Sequence, residues 1–400
     1  MWVSREKLDL GTSRPWVEGY GYIATYILHS LDMRCNMLYS HNHFSNFFVA
    51  FNMCSFSGVV VYMVTGESAS PSERLAKAAR TDSDQLTSLK QMTMVVADTG
   101  DYSKIKQFRP QDATTNPSLI LQAVQSSEHR TLITSVISEC QSRGHEGSEL
   151  VTEICDNLAV RFGIEILNVV PGRVSTEVDA SLSFDTSATI EKAKKLIRLY
   201  ESNGIERARV LIKIASTWEG IRACQELEKI GIHTNMTLIF NYYQAIACAQ
   251  SGATLISPFV GRILDWFVKN APHEVPYTKL TDPGVVSVTR IYKYFKCHQH
   301  TTTVMGASFR SKEQILGLAG IDALTISPKL LDELESAKEP LERVLSPITG
   351  DKDIQYIEVD ENTFRWYMNE DAMATEKLAE GIRNFNADYE KLKRILRSMI

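Results

Sequence analysis

Short apolar runs alternate with segments of helical periodicity through most of the chain beyond residue 85. One helical segment, residues 190–204, places Leu196 and Tyr200 on one face and ends at Gly204, a residue type favoured just after a helix. Eight strand-like runs separated by such segments predict an α/β fold, a single parallel (β/α)8 barrel. The runs are TMVVAD (93–98), DATTN (112–116), RVSTEVD (173–179), VLIKIA (210–215), HTNMT (233–237), ATLISP (253–258), TTVMGA (302–307) and ALTISP (323–328).

The C-terminal residues carry a second amphipathic pattern. Apolar side chains recur there at alternating spacings of four and three residues, which predicts one long helix whose apolar stripe packs on the barrel. The stripe consists of Leu378, Ile382, Phe385, Tyr389, Leu392 and Leu396.

The first 84 residues follow a different pattern. Residues 46–64 are apolar over a length that could cross a bilayer, but Asn46 and Asn52 interrupt them and no cleavable leader is evident. We therefore expect residues 1–84 to form a poorly ordered or peripheral N-terminal extension with a helical lead-in near its end, and a membrane anchor is the alternative. The barrel domain should comprise residues 85–400.

Composition and charge restrict the classes of partner. The 400 residues are 44% hydrophobic and 23% charged, with a formal net charge of −5, so the chain offers no general basic surface for nucleic acid. Its seven cysteines are scattered and lack metal-ligand spacing, which indicates a reducing, cytoplasmic setting. His298 and His300 lack a third ligand nearby, so we expect them on an exposed loop rather than at a metal.

One lysine, Lys213, lies in the middle of the apolar run 210–215. Lysine is rarely buried without a partner, and burial favours the neutral amine, which can attack a carbonyl carbon. This suggests a Schiff base with a ketose sugar. The alternative is a lysine whose side chain extends from the strand end into water.

Polar side chains occur near the carboxyl ends of nearly all the predicted strands, where a barrel of this type builds its active site. Singly, each has a structural explanation: Asp98 suits a turn, and Asn116 suits a helix cap. The occurrence of polar residues at nearly every strand end favours an active site that contains Lys213. The set is Asp98, Asn116, Glu177, Lys213, Asn235, Thr237, Ser257 and, just after the seventh strand, Arg310.

Seven ordered segments resemble the signatures of class I transaldolases. They are VVADTGD, DATTNPSLI, VPGRVSTEVDA, LIKIASTWEG, TNMTLIF, LISPFVGRILDW and VMGASFR, and the tail NEDAMATEKLAEGIR is similar too. The resemblance covers about residues 85–400. It implies a (β/α)8 barrel with extra C-terminal helices, sugar-phosphate substrates, and neither a metal nor a cofactor.

The resemblance also implies roles in the chemical steps. Lys213 matches the Schiff-base lysine, and its iminium would serve as the electron sink for carbon–carbon cleavage. Glu177 and Thr237 match the pair that holds a catalytic water, so that Glu177 relays protons. Asp98 matches the acid/base that takes the proton of the C4 hydroxyl and returns it to the acceptor.

Binding roles follow from the same resemblance. Asn116 and Asn235 match residues that hydrogen-bond the dihydroxyacetone unit. Ser257, Arg262 and Arg310 match the phosphate site, where guanidinium groups grip phosphate oxygens.

The implied reaction moves a dihydroxyacetone unit from sedoheptulose 7-phosphate to glyceraldehyde 3-phosphate, forming erythrose 4-phosphate and fructose 6-phosphate in the non-oxidative pentose phosphate pathway. A sister branch of sugar-phosphate aldolases is similar but carries Gln in place of Glu177 and Tyr in place of Phe259. A rival of another class is a non-catalytic sugar-phosphate binder or membrane-tethered scaffold, which only the N-terminal extension supports. The family also implies a possible homodimer.

Overall fold

The computed structural model describes residues 37–38, 50–51, 83–272, 276–347 and 353–400, with the side chains of residues 102–104 left aside. The chain divides into two compact units, Met1–Leu75 and Ala76–Ile400. In the first unit, Met37–Leu38 pairs antiparallel with Ala50–Phe51. Most of the apolar stretch 46–64 and the predicted helical lead-in lie outside the described residues. Within the described residues no helix has the length and apolarity needed to span a membrane.

Eight parallel strands in the second unit close into a barrel, in which each strand pairs with the next along the chain and the last pairs with the first. All eight coincide with predicted runs, so the predicted barrel is confirmed. The strands are β1 (Met94–Asp98), β2 (Asp112–Thr114), β3 (Val174–Glu177), β4 (Val210–Ala215), β5 (Thr234–Ile239), β6 (Leu255–Pro258), β7 (Thr303–Gly306) and β8 (Ala323–Ile326).

Helices separate the strands, and three helices follow the last strand. Gly204 lies directly after the cap of the sixth helix with φ +78°, in the left-handed conformation that glycine adopts most readily. The helices in the described part are α1 (Gln85–Lys90), α2 (Tyr102–Phe108), α3 (Pro117–Gln125), α4 (Arg130–Ser142), α5 (Gly147–Leu167), α6 (Thr186–Ser202), α7 (Trp218–Lys229), α8 (Tyr242–Gln250), α9 (Val260–Asn270), α10 (Pro283–Cys297), α11 (Lys312–Gly317), α12 (Pro328–Ser336), α13 (Glu361–Glu370) and α14 (Ala372–Arg397).

The barrel interior changes from apolar to polar along the strands. A closed apolar layer consists of Val96, Leu211, Leu255, Met305 and Ala323. Side chains two positions apart on a strand point to the same face, so the next layer toward the carboxyl ends comes from the residues two positions further on. These residues are Asp98, Lys213, Ser257, Ala307 and Thr325. The apolar layer therefore forms the floor of a polar site.

The long C-terminal helix was predicted correctly. Tyr389 and Leu396 of α14 belong to an apolar cluster shared with α3, α4 and α5. Phe385 belongs instead to the main core of the barrel. The helix thus packs partly beside the barrel and partly against its core.

His298 and His300 lie in the turn and loop after α10, as expected, but the expectation that they are exposed was wrong. Both rings are partly buried against Tyr294, with ring centroids at 4.4 and 5.7 Å. His300 also contacts Phe295, at 5.3 Å between ring centroids. Aromatic packing thus explains these two histidines.

Candidate active site

Lys213 lies at the centre of the polar layer, and only 4% of its surface is exposed. Its Nζ lies 3.0 Å from Glu177 Oε2 and donates a hydrogen bond to the backbone carbonyl of Thr115 at 3.2 Å. The strand register explains the pairing, because Glu177 on β3 and Asn235 on β5 both lie level with Lys213 on β4. The alternative of a lysine that extends into water is therefore wrong.

Two buried carboxyl groups lie near this lysine. Burial raises the pKa of Asp98, and the charge of Lys213 and a hydrogen bond from Thr114 Oγ1, at 2.9 Å, partly oppose this shift. Burial likewise raises the pKa of Glu177, and the charges of Lys213 and Arg262 oppose it. Carboxyl groups with raised pKa values are suited to exchanging protons near neutral pH.

Neutral polar groups surround this core of charges. Asn235 donates through Nδ2 to Ser175 Oγ at 3.0 Å and accepts at Oδ1 from Ser257 Oγ at 2.6 Å, which fixes its amide orientation. Asn116 accepts from the backbone N–H of Leu119 and caps α3. It therefore serves both as a helix cap and as part of the site.

Thr237 lies on an irregular part of β5. The pairing between β5 and β6 shifts register between Met236 and Ile239, and Leu238 has φ 57°, a left-handed conformation that is uncommon for leucine. The Thr237 hydroxyl is buried and has no hydrogen-bond partner among the described residues. This hydroxyl therefore keeps the capacity to hydrogen-bond an enclosed water molecule, although it lines neither the cavity around Lys213 nor the one that Glu177 lines.

The polar layer opens into a cavity of about 60 Å³. Six predicted site residues line it, namely Asp98, Asn116, Lys213, Ser257, Phe259 and Arg262. The remaining lining residues are Thr114, Ala307, Ser308, Thr325 and Phe385. Glu177 lines a smaller neighbouring cavity together with Asn116.

The two predicted phosphate-site arginines differ in their surroundings. The guanidinium carbon of Arg262 lies 4.8 Å from the ring centroid of Phe259 and 5.3 Å from that of Phe385. Burial, followed by the charge of Arg310, lowers the pKa of Arg262. Arg310 does not line the cavity; it is half-exposed and pairs with Asp265, with Nη2 at 2.6 Å from Oδ2.

Several site residues escaped the sequence analysis. Thr114 and Thr115 follow Asp112 within the DATTN run, so their place at a strand end was a usable signal. Ser175 gave no signal because it lies two residues before the strand end. Phe385 belonged to an apolar stripe, where a cavity-lining phenyl ring cannot be distinguished from a packing one.

One group of potential metal ligands occurs in the described part of the chain. Ligand atoms of Asp101, Glu128 and His129 lie within 4.8 Å of one another. None of these residues lines the cavity around Lys213.

A parallel barrel with a buried lysine and two buried carboxyl groups at the carboxyl ends of its strands is the arrangement of an enzyme that forms a lysine Schiff base. Residues 95–396 match the family model described as Transaldolase/Fructose-6-phosphate aldolase, so the chain belongs to this family.

Three relatives each align with about four fifths of this chain. A protein named "Transaldolase" from Marinomonas sp. (strain MWYL1) is 57% identical over 318 residues, which cover 80% of this chain and all of the relative. Another with that name, from Saccharomyces cerevisiae, is 54% identical over 323 residues, 80% of this chain and 95% of the relative. A third, from Pseudoalteromonas atlantica, is 53% identical over 318 residues, again 80% of this chain and all of the relative.

Proposed function

We propose that this chain is a transaldolase, a transferase that moves a dihydroxyacetone unit between sugar phosphates through a Schiff base on Lys213. The observation that carries the proposal is the burial of Lys213 at 3.0 Å from Glu177. The names of relatives matched over their full length support the same activity. In one direction, sedoheptulose 7-phosphate and glyceraldehyde 3-phosphate give erythrose 4-phosphate and fructose 6-phosphate, a step of the non-oxidative pentose phosphate pathway.

The first chemical step joins Lys213 to the ketose. Lys213 passes a proton to Glu177 and its amine attacks the C2 carbonyl; a proton then moves from the nitrogen to the C2 oxygen, and the resulting carbinolamine loses its hydroxyl as water to give an iminium. Glu177 supplies the proton for that departure, either directly or through a water held between its carboxyl group and the Thr237 hydroxyl. The contact between Glu177 and Nζ and the unpartnered hydroxyl of Thr237 support these roles.

The second step breaks the bond between C3 and C4. Asp98 takes the proton of the C4 hydroxyl, C4 becomes the carbonyl carbon of the departing aldose phosphate, and the bonding electrons move into the iminium to give an enamine. In the return direction C3 of the enamine attacks an acceptor aldehyde, and Asp98 returns the proton to the new hydroxyl. The raised pKa of Asp98 suits a group that must both take and give a proton.

The remaining polar groups bind the two ends of the substrate. Asn116 and Asn235 hydrogen-bond the hydroxyls of the three-carbon unit, and Arg262 binds the phosphate. Ser257 joins Arg262 there by exchanging its hydrogen bond to Asn235 Oδ1 for one to a phosphate oxygen. Arg310 joins the phosphate site on substrate binding by exchanging its contact with Asp265 for one with phosphate. Burial, and after it the positive charge of Arg310, lowers the pKa of Arg262, and two guanidinium groups that interact in this way support a site built for an anion.

A sugar-phosphate aldolase is the second candidate, because the family model includes both activities. The aldolase branch resembles this chain but has Gln and Tyr in place of Glu177 and Phe259. Phe259 lines the cavity with a ring that has no proton to give, so it cannot protonate the enamine. This observation favours transfer to an acceptor over release of the free ketone.

The test is the release of glyceraldehyde 3-phosphate from fructose 6-phosphate, followed by a coupled dehydrogenase with and without erythrose 4-phosphate. We expect release that depends on the acceptor, and we expect the Lys213→Met variant to show none. Comparable release without the acceptor would establish the aldolase instead. Absence of release under both conditions would point to a non-catalytic binder.

We also propose that residues 85–400 suffice for this activity, because all candidate site residues lie within them. A variant that lacks residues 1–84 should retain the wild-type rate, and a loss of rate would assign the extension a role. A homodimer in the cytoplasm remains our expectation from the resemblance and the scattered cysteines. Light scattering of the purified protein tests the oligomeric state.

A further inference from the structure

Phe385 is the one lining residue of the cavity that lies neither on a barrel strand nor within four residues after one. It lies in the middle of α14 and is buried. The centroid of its ring is 5.8 Å from Lys213 Nζ and 5.3 Å from the guanidinium carbon of Arg262. One phenyl ring therefore faces both the attacking amine and the proposed phosphate site.

Two contacts hold α14 in this position. Gly381 lies one turn before Phe385, and a Cβ atom there would be 2.7 Å from Leu238 Cδ2, so the missing side chain allows a close approach of the helix to β5. Near the other side of Phe385, Asp388 accepts a hydrogen bond from Ser118 Oγ of α3 at 2.6 Å. The helix is therefore fixed on both sides of the phenyl ring.

The cavity is small for its proposed substrate. A volume of about 60 Å³ accommodates only a few water molecules, fewer atoms than a ketose phosphate contains. The strands that supply the other lining residues are hydrogen-bonded to both neighbours around the barrel. The wall formed by Phe385 is supplied by a helix and not by this sheet.

Resting on the proposed transferase function, we propose that Phe385 determines whether the three-carbon adduct on Lys213 is transferred or lost to water. After cleavage the adduct is an enamine that must wait for an acceptor aldehyde. If water reaches it, a proton adds to C3, water adds to C2 of the resulting iminium, and the bond between C2 and Nζ breaks. Dihydroxyacetone and the free amine are then released, with one water consumed.

An apolar ring over the adduct opposes this loss, because it excludes bulk water from C2 and C3. The acceptor aldehyde enters with its own phosphate, which binds beside the same ring at Arg262. Phe385 is thus a specificity-determining residue: it disfavours water without removing the site for the phosphorylated acceptor.

The experiment compares Phe385→Ala and Phe385→Leu with the wild-type full-length protein. Fructose 6-phosphate and erythrose 4-phosphate are supplied, and the dihydroxyacetone formed is divided by the sedoheptulose 7-phosphate formed. We expect this ratio to rise about tenfold in Phe385→Ala and by a smaller factor in Phe385→Leu, which retains an apolar side chain. The leucine variant keeps the test decisive if the alanine variant does not fold.

Leu396→Ala is the matched control. Leu396 is fully buried on the same helix three turns further on, in the cluster shared with α3 to α5 and away from the cavity. It should lose comparable stability and keep the wild-type ratio. Unchanged ratios in both Phe385 variants, or an equal rise in Leu396→Ala, would overturn the inference. Absence of transfer by the wild-type protein would instead refute the proposed function.

Discussion

Replacement of Glu177 by glutamine should lower the rate of the reaction far more than it lowers the stability of the fold. The substitution keeps the volume of the side chain and creates no cavity, but it removes the carboxylate that lies 3.0 Å from Lys213 Nζ. An amide cannot exchange the protons of carbinolamine formation and dehydration at a useful rate. We therefore expect kcat to fall by about 10²–10⁴, the usual contribution of a general acid or base.

The structural cost should be smaller than this loss of rate. Both side chains of the pair are 4–5% exposed, and removal of one member of a buried pair costs about 3–5 kcal/mol when the other charge stays in place. The burial that raises the pKa of Glu177 also makes its carboxylate unfavourable, so its removal offsets part of that cost. We expect a net loss of no more than about 3 kcal/mol, or a decrease in Tm of about 10 °C at most.

The assay combines acceptor-dependent turnover at 25 °C with thermal unfolding. Glu228→Gln is the control, because Glu228 accepts hydrogen bonds from the backbone N–H groups of Thr234 and Thr254 at 2.8 Å and lies outside the cavity. This control should lower Tm and leave kcat within about twofold. If Glu177→Gln keeps more than a tenth of the wild-type kcat while folded, Glu177 is not the proton relay.

Three further predictions concern other residues of the site. Asp98→Asn should abolish cleavage of fructose 6-phosphate, so borohydride should trap the intact ketose phosphate on Lys213 in place of the dihydroxyacetone unit. Burial raises the pKa of Asp98, so the stability that this carboxyl group contributes is present at acid pH and lost as the pH rises through its folded pKa; thermal unfolding should therefore show the variant to be more stable than wild type at pH 7 but not at pH 3. Arg262→Lys should raise KM for fructose 6-phosphate about 10- to 100-fold with a smaller effect on kcat, and steady-state kinetics with an unchanged KM would remove Arg262 from the phosphate site. Phe259→Tyr should increase the acceptor-independent release of glyceraldehyde 3-phosphate, because a phenol in the cavity wall can protonate the enamine; release at the wild-type level would contradict that role.

The barrel was predictable because each strand is a short apolar run that can be recognised from its own residues. The run at 210–215, for example, is buried on both faces of β4 and apolar except at Lys213, as expected of a strand enclosed between the barrel interior and a helix layer. The polar residues at the strand ends were predictable for a related reason. In a parallel barrel, residues far apart in sequence meet at one rim whenever each ends a strand.

Features that depend on contacts between distant elements were not predictable. Phe385 and Tyr389 are one turn apart on the same stripe, yet one lines the cavity and the other belongs to the cluster beside the barrel. The hydrophobic pattern fixes which face of α14 is buried but not which element it meets. The pairing of Arg310 with Asp265 likewise required two positions 45 residues apart to be brought together by β7 and α9.

Chemical trapping of the covalent intermediate is the most direct test of a Schiff base on Lys213. The protein is incubated with fructose 6-phosphate and sodium borohydride, digested, and mapped by mass spectrometry, with Lys213→Met as the control. We expect a reduced dihydroxyacetone unit on the wild-type peptide that contains Lys213, and none in the variant. A label on another lysine, or no label while acceptor-dependent transfer continues, would contradict it.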